Sequence, residues 1–189
     1  MRNAVIVHGM PSREEYYDPD LPTASSHHWL PWLAKQLLVR DIPAYRPEMP
    51  AAFAPDYPTW RREFERYDIT PETLLVGHSC GGGFLVRWLS EHPATRVGRV
   101  VLVAPWLDPD RGRAPDFFAF TIDPDLAPRT DGLVVFNSDD DSDGVQRSAH
   151  LIRDTVTGTD YREFHRYGHF CAHDLGGPRF PELLTALLD

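Results

Sequence analysis

Two rhythms of apolar residues run along this chain. Mostly apolar runs at 4–7, 42–45, 73–76, 97–104 and 132–136, and the aromatic-flanked segment 161–164, have the length and branched or aromatic content of β-strands. Between them apolar residues recur every three or four positions, as one face of a helix requires. Trp29, Trp32, Leu33 and Leu37 form one such stripe, and Trp60, Phe64 and Tyr67 a second. Phe84 with Trp88 and Leu85 with Leu89 pair at i,i+4 on a third helix, which ends near His92 and Pro93. Val145, Ala149, Ile152 and Val156 form the fourth stripe, and Leu183, Leu184, Leu187 and Leu188 the last. Pro31 and Pro181 fall in first helical turns, where the missing N–H costs nothing. Residues 8–26 and 47–58 read as loops, the first polar and the second proline-rich.

Strands that are apolar on both faces, alternating with helices, imply a parallel sheet covered on each side. The expected fold is therefore α/β: a three-layer, doubly wound, mostly parallel six-stranded sheet with helices on both faces and right-handed crossovers. Residues 1–189 read as one domain, without internal repeats or linkers. Residues 105–128 carry several prolines and the cluster Phe117, Phe118 and Phe120, and read as a loop or small lid whose aromatic residues, with Trp106 and Met10, are candidates to line an apolar acyl pocket. In such a sheet ligands bind outside the carboxyl ends of the strands. Every polar motif in the chain follows a strand at that edge.

Composition narrows the partners. With 42% hydrophobic and 25% charged residues the chain has ordinary globular content. A net charge of −9 and a pI near 5.4 argue against nucleic-acid binding and against an anionic membrane surface, both of which need clustered Lys and Arg. The opening apolar run is too short for a signal peptide, and no run approaches a membrane span, so a cytoplasmic location is expected. Cys80 and Cys171 are then expected as free thiols.

The chemistry concentrates at Gly77-His78-Ser79-Cys80-Gly81, between the strand at 73–76 and the helix after it. This is the G-x-S-x-G pattern of a nucleophile elbow, in which a serine occupies a sharp strand-to-helix turn and flanking glycines make room for neighbouring backbone. An aspartate from the acidic run 139–143 and then His169 follow it. The order Ser, Asp, His is that of α/β-hydrolases and differs from chymotrypsin-like and subtilisin-like enzymes. Cys80 is the weaker nucleophile candidate, because the elbow projects its central residue. His165, His169 and His173 are spaced by four, but Gly168 interrupts a helix there, so no metal site is expected. The acidic run lacks the glycine and terminal glutamate of an EF-hand, and Gly81-Gly82-Gly83 matches no phosphate-binding motif. No cofactor is expected.

Val7-His8-Gly9-Met10, His28-Trp29, Gly77-His78-Ser79-Cys80-Gly81-Gly82, Ser138-Asp139-Asp140-Asp141 and Gly168-His169-Phe170 together resemble the small serine hydrolases typified by retinoblastoma-binding protein 9. The resemblance spans nearly the whole chain. It implies a minimal α/β-hydrolase fold with a triad of Ser79, Asp141 and His169, Asp140 standing as the alternative acid. It also implies an oxyanion hole from the backbone amides of Met10 and Cys80. Ser142 stands where the family often has proline, and no Leu-x-Cys-x-Glu segment occurs, so retinoblastoma-protein binding is not implied. The expected activity is hydrolysis of a small-molecule ester, thioester or amide through an acyl-enzyme, most simply as a carboxylesterase. The alternative is a catalytically silent hydrolase fold used as a protein-binding module.

Overall fold

The computed structural model describes residues 2–189. Six strands, β1 (Ala4–Val7), β2 (Ala44–Tyr45), β3 (Leu74–His78), β4 (Val100–Val103), β5 (Leu133–Ser138) and β6 (Asp160–Phe164), form one sheet of order β2-β1-β3-β4-β5-β6. Every neighbouring pair is parallel. The helices are α1 (Arg13–Tyr17), α2 (Leu30–Leu38), α3 (Tyr57–Phe64), α4 (Cys80–Glu91), α5 (Asp143–Thr155) and α6 (Pro181–Leu188).

The inner strands β1, β3, β4 and β5 are buried along their whole length because both faces are covered, whereas the edge strands β2 and β6 are partly exposed. Val5, Val7, Leu75, Val100, Leu102 and Val135 face a core built with α3, α4 and most of α5. Ala4, Ile6, Leu74, Val76, Val101, Val103, Val134 and Phe136 face the opposite core with α2 and α6. Trp60, Phe64 and Phe84 anchor the first layer, and Trp29, Phe170 and Phe180 the second, all fully buried. Each such side chain contributes about 1.5–3 kcal/mol of transfer free energy. The packing holds β3 between β1 and β4, so its carboxyl end has strand ends on either side.

Three expectations changed in detail. β2 is two residues long, because Ile42 turns into the core and the Pro43 carbonyl takes up the Ala4 N–H at 2.9 Å. Within residues 8–26 lies the short helix α1, which buries none of its residues and so leaves no hydrophobic stripe to read. Its signal is polar, a capping box in which Glu15 N–H donates to Ser12 Oγ at 3.1 Å and Ser12 N–H to Glu15 Oε2 at 2.7 Å. Finally, Phe117 and Phe118 in segment 105–128 belong to the core on the α3/α4 side, Phe117 lying edge-on to Trp60 at 5.0 Å. Arg87 on α4 holds that segment by donating to the carbonyls of Asp116 and Phe117, each at 2.8 Å.

Candidate active site

Ser79 sits between β3 and α4 at φ 54°, ψ −120°, a conformation that costs a non-glycine residue about 1–3 kcal/mol. The surrounding backbone fixes it: Ser79 N–H donates to the Val103 carbonyl at 2.9 Å, and Trp106 N–H donates to the Ser79 carbonyl at 3.0 Å. The flanking glycines are demanded by contact. A Cβ on Gly77 would lie 2.6 Å from Gly82 Cα, and one on Gly81 would collide with the carbonyl oxygens of Val7 and His8. Cys80 opens α4, so its N–H has no acceptor within the helix, while its thiol is buried and pushed well up by desolvation.

The candidate acids lie in the β5–α5 connection. Asp141 is only 5% exposed at its side chain, and its Oδ2 is 2.7 Å from His169 Nδ1. A carboxylate oxygen only accepts, so Nδ1 carries the hydrogen and the lone pair of a neutral ring lies on Nε2. Asp140 turns elsewhere: its Oδ1 accepts from Ser138 Oγ at 2.6 Å and from Gly168 N–H at 2.9 Å, which together hold its carboxyl below the usual range. Asp139 accepts from Arg166 N–H and pairs with the exposed His165 at 2.6 Å. The three aspartates divide in this way because 138–141 is a turn, closed by Asp141 N–H donating to Ser138 O at 3.2 Å.

The His169 loop is held at almost every backbone group. Tyr167 N–H donates to Ser138 Oγ at 2.9 Å, and the amides of His169 and Cys171 both donate to Asp174 Oδ2 at 3.0 Å. Trp29 Nε1–H donates to the Phe170 carbonyl at 3.0 Å, and His78 Nε2–H to the His169 carbonyl at 2.9 Å. His78 is buried and its pKa falls well below the ordinary value through desolvation, with His169 nearby adding to the shift. Asp174 carries no motif in the sequence, and only the folded loop reveals its function as a double amide acceptor.

The loop after β1 closes the other side. Met49 N–H donates to His8 Nε2 at 2.9 Å, so His8 carries its hydrogen on Nδ1 and donates it to the Gly9 carbonyl at 2.7 Å. Burial lowers the His8 pKa, favouring this neutral form. The Met10 N–H lies across the peptide plane from that pinned carbonyl and has no hydrogen-bond acceptor among the described residues. A Cβ on Gly9 would sit 3.1 Å from Ser79 Cβ, which puts this loop directly against the serine.

Ser79, His169, Met10 and His28 line one cleft of about 730 Å³, much of whose lining is drawn from residues 10–24. None of Trp106, Phe117, Phe118 and Phe120 lines it, because the phenylalanine cluster packs against α3 and α4 instead. His28 stacks on His27 at 4.0 Å and accepts from Ala172 N–H through Nδ1 at 3.3 Å. Burial, followed by the charges of His27, His169 and His173, lowers its pKa to about 4.

Ligand atoms of Cys171, His173 and Asp174 lie within 4.8 Å of one another, the one such trio among the described residues. Asp174 Oδ2 already accepts two amides there, and burial pushes the Cys171 thiol up to about 12, so a thiolate ligand is disfavoured. Cys80 and Cys171 are free thiols.

A family model described as "Serine hydrolase" matches residues 19–188. The chain belongs to the serine hydrolase family. Among its relatives, YdeN of Bacillus subtilis, a hydrolase by name, is 35% identical over 85 residues. That alignment covers 43% of this chain and 44% of YdeN, so it spans less than half the length of this relative. The crystal structure of the B. subtilis ydeN product aligns along 99% of this chain and 97% of its own, at TM-score 0.78 and 23% identity. Est1E of Butyrivibrio proteoclasticus, solved with ferulic acid bound, aligns over 99% and 86% at TM-score 0.65 and 10% identity. These likenesses establish an α/β-hydrolase fold for this serine hydrolase. Among the described residues no helix is long and apolar enough to cross a membrane.

Proposed function

We propose that this serine hydrolase cleaves a carboxylic ester, thioester or amide through an acyl-enzyme, with Ser79 as nucleophile, His169 as base and Asp141 as the acid that orients it. The observation that carries the reading is the 2.7 Å contact from Asp141 Oδ2 to His169 Nδ1 in a cleft that Ser79 shares. A serine hydroxyl is a poor nucleophile at neutral pH, so its proton must leave during attack. His169 Nε2 receives that proton, the serine Oγ–carbonyl bond forms, and the carbonyl π pair moves onto oxygen. Collapse expels the leaving group, which takes the proton back from His169, and water repeats the sequence to release the acid. Asp141 stabilises the imidazolium without itself being protonated.

The oxyanion is held by the amides of Met10 and Cys80, a role supported by their unused N–H groups beside the elbow. The strained φ of Ser79 supports the same assignment, since strain of this kind gathers at functional sites. The resemblance to hydrolases typified by retinoblastoma-binding protein 9 favours these residues too, and a carboxylesterase activity is the simplest form of the chemistry. The test is labelling with a fluorophosphonate probe, followed by peptide mapping. Modification of Ser79, lost together with p-nitrophenyl ester turnover in Ser79→Ala, is the expected result. Labelling that survives in that variant, or acylation mapped to Cys80, overturns it.

A further inference from the structure

We propose that His28 is a substrate-binding residue of this site, its Nε2–H donating a hydrogen bond to an uncharged oxygen that the substrate carries close to its scissile carbonyl. The inference rests on the reading of Ser79 as nucleophile and adds a preference for ether-, hydroxyl- or carbonyl-bearing esters over plain alkyl ones.

The tautomer follows from the partner. A backbone amide can only donate, so the contact from Ala172 N–H at 3.3 Å makes His28 Nδ1 an acceptor, and a neutral ring then carries its hydrogen on Nε2. No hydrogen bond among the described residues uses Nε2, nor is it one of the buried polar atoms left without a partner. It is left available to a ligand, on a residue that lines the cleft with Ser79 and His169.

The donor is also fixed in place. His27 stacks on the ring at 4.0 Å with 9° between planes, and His78 meets it edge-on at 5.8 Å. The backbone of His28 is left-handed at φ 53°, uncommon for a non-glycine residue although histidine enters it more readily than most. A pre-set donor loses little freedom on binding, and a site built to hydrogen-bond an oxygen discriminates against the analogue that lacks it.

The charge of the acceptor is set by the rest of the lining. Glu15 and Asp18 are there and no lysine or arginine is, so a carboxylate or phosphate on the substrate meets like charge without a counter-ion. Because burial keeps the ring neutral down to about pH 4, it offers a dipole rather than a cation at working pH.

The experiment uses two isosteric ester pairs, p-nitrophenyl butyrate against p-nitrophenyl methoxyacetate, and butyl acetate against 2-methoxyethyl acetate. His28→Leu is expected to lose about tenfold more kcat/KM on the ether of at least one pair than on its alkyl partner. His28→Gln, which keeps an N–H donor, is expected to retain most of that preference. Equal losses across both pairs, or no loss, overturn the proposal. Fluorophosphonate labelling of Ser79 in each variant separates failure of this inference from failure of the nucleophile. Independently of turnover, the side-chain 1H–15N spectrum of His28 at pH 7 is expected to show the Nε2–H form. An Nδ1–H form, or titration near 6.5, overturns it.

Discussion

The carbonyl of His169 ends on the ring of His78, an imidazole only 3% exposed whose Nε2–H donates to it at 2.9 Å. The residue beside the proposed nucleophile in sequence therefore holds the backbone of the proposed base. Removing this donor leaves a carbonyl unsatisfied and lets the His169 loop shift. His78→Leu is expected to lose about 1–3 kcal/mol of stability. It should also lower kcat roughly tenfold with little change in KM, since small misplacements of a base are costly. Urea denaturation alongside steady-state ester hydrolysis measures both, and an unchanged kcat would remove His78 from the positioning chain.

The two neighbouring aspartates are predicted to behave differently. Asp141→Asn leaves His169 with the wrong tautomer and is expected to lower kcat by about 10⁴. Asp140→Asn keeps an oxygen to accept from Ser138 Oγ and Gly168 N–H, so turnover should stay within about a fewfold of the parent. Comparing kcat for the two, with folding verified by circular dichroism, decides between them. A crippled Asp140→Asn beside a near-normal Asp141→Asn would reverse the assignment.

Strain and crowding at the elbow make opposite predictions for single atoms. Gly81→Ala drives a methyl into two fixed carbonyl oxygens and is expected to cost about 1–3 kcal/mol or more, as overpacked sites do. Ser79→Gly relieves a left-handed φ and should be at least as stable as the parent while inert. Thermal melting of the two variants reads the contrast.

Acid should weaken the fold. His8, His28 and His78 have pKa values lowered from 6.5 mainly by burial, His28 to about 4. Between those values the unfolded chain binds more protons than the native one, so stability is intact above about pH 7 and falls as the pH drops towards 4. The exposed His165, raised by Asp139, acts in the opposite sense and is screened by solvent. The denaturation midpoint at pH 5 is expected below that at pH 7.5, with a smaller difference in His28→Gln. An identical midpoint at both would show that these rings are not held neutral.

Much of the architecture is legible because the sheet is buried on both faces. Runs such as 100–103 cannot be anything but interior strand once helices alternate with them, and the glycines around Ser79 announce the elbow before any contact is seen. What escaped is polar or non-local. α1 has no buried face, so Ser12 and Glu15 offer a cap without a stripe. Phe117 and Phe118 carry no mark of which surface they join, and their distance from the cleft is decided by Trp60 and Arg87, far off in the chain. The separation of Asp140 from Asp141 depends on a turn rather than on strand alternation, and Asp174 acts only through amides that the loop itself presents.

Much of the cleft's lining comes from one contiguous stretch, 10–24, and none of the hydrogen bonds that set Ser79, Asp141 and His169 comes from residues 11–24. Much of the cleft lining, His28 excepted, is thus heritable separately from the proposed triad. A descendant gene can rewrite fourteen or so consecutive codons and reshape the cleft, while the proposed triad at the strand ends passes on untouched.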